Sequence, residues 1–296
     1  MRIAVTGAGG FIGTELLAVL NNREDVRVTA LTRGGSERPE TERCVWKTTD
    51  YSVKSLAKAL DGADAVIHLA GVRGTTSDPA DYEVNAEMTE NLLEAMAEAG
   101  TGRIVFASTI SVYDDVSGIP WDEEAPLSGR TMYGDSKIRC EALIREHAEK
   151  YGFSYGIARI AQVLGEGEKR RGMMNVFIDT AAGRGTLKVM GKSEAKRQYI
   201  WVRDLACILA GLAAGGLFDV SGNITVNAGM PEAYTNLEIA RIVNEVFENP
   251  APVEYDDSSP ETIKPSCMDI SRLKKMGYVP LGMKEALEEI KKDRGL

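Results

Sequence analysis

The sequence predicts an α/β fold in which a parallel sheet carries helices on both faces, and three observations predict it. Short apolar runs alternate with longer helical patterns up to about residue 160, which is the βαβ rhythm of a parallel sheet. A glycine-spaced turn, Gly7, Gly10 and Gly13, joins the first apolar run to the first helical pattern. A length of 296 residues, 44% of them hydrophobic, is enough to bury a full core.

Taken in order, the apolar runs at 3–5, 26–31, 65–69, 104–107 and 155–160 read as buried strands. Between them apolar residues recur at intervals of three and four over 14–20, 53–60, 85–99 and 136–150, so these segments read as helices. Past Gly165 the rhythm loosens into glycine-rich and charged loops. A helix over 202–214, a strand over 224–227 and helices over 236–247 and 283–292 follow, with Pro250, Pro252, Pro260 and Pro265 marking turns. The organisation implied is a Rossmann-type doubly wound parallel sheet over 1–160, to which 196–227 return. A smaller, irregular α+β substrate domain is formed by 161–195 and 228–296.

Composition narrows the partners. With 35 basic against 44 acidic residues the formal charge is −9, which disfavours nucleic acid and anionic membranes, and no Lys/Arg run offsets it. Cys44, Cys140, Cys207 and Cys267 are dispersed without a CxxC pair and only His68 and His147 accompany them, so no metal site and no disulfide framework is expected. The chain opens directly on the strand-like Arg2-Ile3-Ala4-Val5, and no apolar run approaches the roughly 18 residues of a spanning helix. A soluble, cytoplasmic protein is the expectation.

Two motifs carry chemistry. In Thr6-Gly7-Ala8-Gly9-Gly10-Phe11-Ile12-Gly13 the glycines sit between strand and helix, where they permit a tight turn and close backbone approach to a pyrophosphate at the helix N-terminus. At the end of the second strand Leu31-Thr32-Arg33 offers no carboxylate for a ribose. Arg33 could meet a 2′-phosphate, stack on adenine, or be a plain surface arginine, so the cofactor expected is NAD with NADP still open. Asp50, at the end of the third strand and followed by Tyr51, suits either the adenine amino group or the cap of the next helix. The second motif is Tyr133 and Lys137, four apart and so on one helical face. An ammonium beside a phenol favours the phenolate, which makes Tyr133 a candidate general acid/base. Ser108, Thr109 and Ser111 put hydroxyls at the C-terminal end of the 104–107 strand, where open α/β sheets bind ligands.

With these residues in view, the chain resembles the extended short-chain dehydrogenases/reductases, in the nucleotide-sugar epimerase/dehydratase branch, along nearly its whole length. The glycine motif, His68-Leu69-Ala70-Gly71, Asn85, the run 106–113, the Tyr133/Lys137 pair, 159–165, 197–206 and Asn227-Ala228-Gly229 come in that family's order and spacing. The resemblance implies that Thr109 hydrogen-bonds the reacting oxygen, with Ser108 beside it, and that Lys137 also holds the nicotinamide ribose. It implies cofactor contacts from Gly7, Gly10, Phe11, Ile12, Gly13, Leu69, Ala70, Gly71 and Asn85. His68 falls in the family's fourth-strand run and reads as a buried, hydrogen-bonded residue.

Because a nucleotide diphosphate is anionic, an acidic chain must supply local cations; Arg197 matches a family arginine at the substrate diphosphate, and Lys188 and Arg73 are further candidates. Gln162 stands where the branch often has Asn, and Lys264-Pro265 where many members have an arginine. Dehydratases of the branch place Asp-Glu after the catalytic Thr, whereas Ile110-Ser111 follow here, which disfavours dehydration. The activity implied is UDP-hexose 4-epimerisation through a transient keto-sugar, in a homodimer formed through the helices over 85–99 and 136–150. An NADPH-dependent keto-sugar reductase and a non-catalytic dinucleotide sensor are the alternatives.

Overall fold

A computed structural model describes residues 1–34, 40–73, 78–169, 172–215, 222–260 and 263–296. Strands β1 (Arg2–Thr6), β2 (Arg27–Thr32), β3 (Cys44–Thr48), β4 (Ala65–His68), β5 (Arg103–Ala107) and β6 (Ser154–Ile160) alternate with helices α1 (Phe11–Asn21), α2 (Val53–Leu60), α3 (Ala80–Ala99) and α4 (Met132–Tyr151). Short strands β7 (Gln162–Leu164), β8 (Leu187–Met190) and β9 (Arg197–Trp201) follow, with α5 (Met173–Ala182) between β7 and β8. The remainder comprises α6 (Val202–Ala214), β10 (Ile224–Ala228), β11 (Ala233–Tyr234), α7 (Asn236–Val246), β12 (Val253–Asp256), α8 (Ser271–Lys275) and α9 (Met283–Asp293).

Seven strands form one parallel sheet in the order β10-β6-β5-β4-β1-β2-β3. The order reverses between β1 and β4, and such a switch point opens a crevice at the carboxyl ends of the strands. Its central strands are mostly apolar because both faces are covered: β4 and β5 are buried at every position, with His68 and Arg103 at their ends. On one face α1 and α6 pack together over Val5, Ile67, Val105 and Ala158; on the other α2, α3 and α4 cover Ala4, Val66, Ile104 and Ile157. Residues 224–228 return as the edge strand β10 beside β6. A separate apolar cluster joins α5, α7 and α9, around Phe177, Ile239, Val243 and Leu287.

Two differences from the sequence reading bear on the site. Helix α3 starts at Ala80 rather than at 85, and α4 starts at Met132 rather than at 136, which puts Tyr133 in the first helical turn. Thr131 caps α4, its hydroxyl accepting from the Gly134 N–H. A Cβ at position 134 would run into the Ser111 carbonyl oxygen, so glycine there lets α4 lie against the turn after β5. The short elements α5, β7, β8, β9 and β12 lie where irregular loops were expected.

Candidate active site

Loops after β1, β4, β5 and β6 and the first turn of α4 enclose a cleft of about 730 Å³. Gly7, Gly10 and Gly13 line one side of it, Ser108 and Thr109 the floor after β5, and Tyr133 and Lys137 the α4 side. A side arm of about 380 Å³ shares Gly7, Gly10, Leu69 and Gly71 with the cleft and runs to Leu31, Arg33 and Tyr51.

The glycine turn is built for close approach. Gly7 has φ +67°, and a Cβ on it would come 2.8 Å from the Ala70 nitrogen, while one on Gly13 would come 2.5 Å from the Gly7 carbonyl oxygen. These backbones therefore touch where side chains would intervene, leaving N–H groups at the start of α1 facing the cleft. Such a cradle, continuous with an arm ending at Tyr51 and Arg33, fits a dinucleotide. Thr6 accepts the Leu69 and Ala70 N–H groups at 3.2 Å each, which ties the β4 loop to the glycine turn. With both those donors on its oxygen, the Thr6 hydroxyl donates to His68 Nδ1 at 2.7 Å, so the ring proton sits on Nε2 facing Thr89 Oγ1 at 3.3 Å. Burial, reinforced by the Lys137 ammonium, drives the His68 pKa down to about 3, so the imidazole is neutral and structural.

Lys137 is buried, donates to the Ala107 carbonyl at 2.9 Å and stands 4.4 Å from the Phe106 ring centroid and 5.8 Å from that of Tyr133. One of its three protons is thus used to fix it against β5, and two remain for the cleft. Thr109 accepts the Ser111 N–H at 3.2 Å. Its hydroxyl proton has no acceptor among the described residues and is available to a ligand oxygen.

Asn85 does not line the cleft. It is buried and accepts from the Val72 N–H at 2.6 Å while donating to the Val72 carbonyl and to Ser136, so it shapes the β4 loop beneath Gly71. Arg73 and Gln162 do line it, and Arg73 pairs with Glu168 at 2.8 Å across the mouth. Asp50 is outside both cavities; its exposed carboxylate takes the Ser52 hydroxyl and N–H, which hold its pKa below the usual carboxylate range, and Ser52 itself caps α2. Lys188, on β8, is also outside, 70% exposed and 3.5 Å from Glu254. Arg197 lines neither cavity; it donates to Asn236 at 2.5 Å, and its Nε is buried with no partner among the described residues.

The sequence reading missed Glu141. It lies wholly buried on α4 and pairs with Arg159 at 2.9 Å and Arg145 at 3.0 Å. Burial alone would raise its pKa, but the Arg159 guanidinium overrides this and holds it below the ordinary value. Arg159 in turn reaches Tyr113 at 2.7 Å, whose phenol burial pushes up to about 12. The available signal was spacing: Tyr133, Lys137 and Glu141 recur every fourth residue.

The chain is similar to known proteins along its length. The NAD dependent epimerase/dehydratase family matches residues 3–218. A putative UDP-glucose 4-epimerase of Methanocaldococcus jannaschii is 27% identical, covering 97% of this chain and 96% of that protein. A dTDP-4-dehydro-6-deoxy-D-allose reductase of Streptomyces is 26% identical over 97% and 94%. The crystal structure of UDP-N-acetylglucosamine 4-epimerase from Bacillus cereus superposes with a TM-score of 0.86 at 30% identity, covering 100% of this chain and 97% of that one.

Proposed function

The chain belongs to the NAD dependent epimerase/dehydratase family, and within it we propose a nucleotide-sugar epimerase that inverts C4 of a UDP-hexose with NAD held in the cleft. The observation that carries this reading is that Thr109, Tyr133 and Lys137 line one cleft continuous with the glycine cradle. Gly7, Gly10 and Gly13 would hold the pyrophosphate, and Tyr51 and Arg33 the adenosine end. What NAD supplies when bound is a place for the hydride of the sugar carbon between its removal and its return to the opposite face.

The chain's own residues handle the proton and the orientation. Tyr133 takes the proton of the C4 hydroxyl and later restores it, so a turnover leaves no net proton transfer. Thr109 donates its free hydroxyl proton to the same oxygen. Lys137, fixed by Ala107, directs its remaining protons to the phenolate and to a ribose hydroxyl. Arg73, at the cleft, would meet the substrate diphosphate; Arg197, the other candidate cation, lies outside both cavities and is held by Asn236. Binding of the remote nucleotide then positions the reacting carbon.

A second reading, an NADPH-consuming keto-sugar reductase, draws on Arg33 at the adenosine arm, where no carboxylate selects NAD, and on the reductase relative. Mass spectrometry of the dinucleotide retained through purification, followed by NMR of UDP-glucose, UDP-N-acetylglucosamine and UDP-glucuronate incubated without reductant, separates the two. Retained NAD and epimer exchange support the epimerase; turnover only with added NADPH establishes the reductase instead.

Two further parts of the proposal are a homodimer and a cytoplasmic location. For the dimer the support is the pairing of α3 with α4, joined by Arg139 and Glu83, into an exposed two-helix face. Light scattering at about twice 32.1 kDa is expected, and a monomer mass refutes it. Four free thiols suit a reducing compartment. No helix among the described residues is long and apolar enough to cross a membrane.

A further inference from the structure

Beneath the cleft lies a charged cluster that the proposed reaction does not use. Glu141, wholly buried one turn beyond Lys137, receives the Ser108 hydroxyl on Oε1 at 2.6 Å. The same oxygen takes Arg159 Nε at 3.1 Å, and Oε2 takes Arg159 Nη2 at 2.9 Å and Arg145 Nη2 at 3.0 Å. The Ser108 N–H donates to the Ala158 carbonyl at 2.8 Å, so β5, β6 and α4 all fix this serine.

The hydrogen-bond inventory decides what Ser108 can show a ligand. An ionised carboxylate only accepts, and a serine hydroxyl has one proton, which here goes to Glu141. What remains on the hydroxyl oxygen of this cleft-lining residue is a pair of lone pairs. Its neighbour Thr109 has the opposite bias, since its oxygen accepts the Ser111 N–H and its proton is free. Adjacent hydroxyls thus present an acceptor and a donor on the floor of one cavity. Ser108 lines the part of the cleft shared with Thr109 and Tyr133 and is absent from the adenosine arm.

We propose that Ser108, locked by Glu141 as an obligate hydrogen-bond acceptor, is a specificity-determining residue that recognises a donor hydroxyl of the hexose beside the reacting carbon. The inference rests on the UDP-hexose reading above. A sugar carrying fluorine or hydrogen in place of that neighbouring hydroxyl offers no proton and leaves the Ser108 lone pairs unmet.

The test is calorimetric binding of UDP-glucose and its 2-, 3- and 6-deoxyfluoro analogues to NAD-loaded protein, for the wild type and Ser108→Ala. Truncation at Ser108 leaves Glu141 with all three of its arginine contacts, so the fold is retained, and thermal unfolding checks this. The wild type is expected to bind the 3-deoxyfluoro analogue, altered at the hydroxyl next to C4, about five- to tenfold more weakly than UDP-glucose. Ser108→Ala is expected to lose a similar factor for UDP-glucose and to stop distinguishing it from that analogue, while the other analogues keep their relative order. Equal weakening of every ligand, or unchanged discrimination, overturns the inference while leaving the epimerase reading intact. Failure of the wild type to bind any UDP-sugar overturns both.

Discussion

Replacing Gly13 by alanine isolates the contribution of the glycine cradle, because the backbone there is not in the left-handed region and the perturbation is purely steric. The added Cβ would lie 2.5 Å from the Gly7 carbonyl oxygen, 2.6 Å from that of Ala8 and 2.7 Å from the Ala8 carbonyl carbon. All three are backbone atoms of the turn, which is closed by the Gly10 N–H to Gly7 carbonyl bond at 3.0 Å. They cannot rotate aside, so α1 must move away from the turn by more than half an ångström. Overpacking of this kind costs about 1–3 kcal/mol, which for a chain of this length lowers the melting midpoint by on the order of 2–6 °C. The displaced N–H groups would also loosen the hold on the pyrophosphate. Chemical denaturation of the apoprotein and mass spectrometry of the NAD copurifying with it give the two readouts. Gly102→Ala, where the nearest atom to the new Cβ is the Asp64 carbonyl oxygen at 3.9 Å, should stay within about 0.5 kcal/mol of the wild type. A Gly13→Ala protein as stable as the Gly102 control and still fully loaded with NAD would refute the steric argument.

Tyr133→Phe removes the proton carrier and no backbone contact, so retained dinucleotide should be unchanged while epimer exchange falls by about 10²–10⁴-fold; a loss smaller than tenfold would take Tyr133 out of its role. Arg159→Met leaves the buried Glu141 carboxylate with Arg145 as its one remaining cation beside the Ser108 hydroxyl, and urea unfolding should report a loss of about 3–5 kcal/mol. His68 gives a pH prediction. Above about pH 6.5 both folded and unfolded states carry a neutral imidazole, but below it only the unfolded chain binds the proton until about pH 3, so stability is lost as pH falls through that window. Wild-type unfolding free energy should therefore drop by about 1.4 kcal/mol per pH unit more than that of His68→Gln between pH 6 and 5, and parallel slopes would contradict a buried neutral ring.

What was legible in the sequence follows from period and from steric necessity. Strands such as β4 and β5, buried on both faces, are mostly apolar runs, and Gly7, Gly10 and Gly13 mark a turn where backbones must touch. Tyr133 and Lys137 were visible because a helical face repeats every four residues. The start of α4 was not, since Thr131, a capping residue, precedes Met132, Tyr133 and Gly134, which have no apolar rhythm of their own. Strands β7 and β9, three and five residues long, are too short to show a period, and they pair Gln162 with Tyr199 far along the chain. The placement of Lys188 was not legible for a related reason: in β8 its neighbours Leu187 and Val189 face inward, so its own side chain points out to Glu254. Glu141 reads in isolation as a solvated helix charge, because only the tertiary approach of Arg159 from β6 makes its burial tolerable.

The claim on which the account depends is that hydrogen leaves and returns to the same sugar carbon inside one closed cleft. Incubating the protein as purified with UDP-glucose deuterated at C4, with no added cofactor, and following the products by NMR tests it most directly. The account predicts UDP-galactose with deuterium still at C4 and no label in solvent. Galactose product carrying solvent hydrogen at C4, or product formed only when reduced cofactor is supplied, would contradict it.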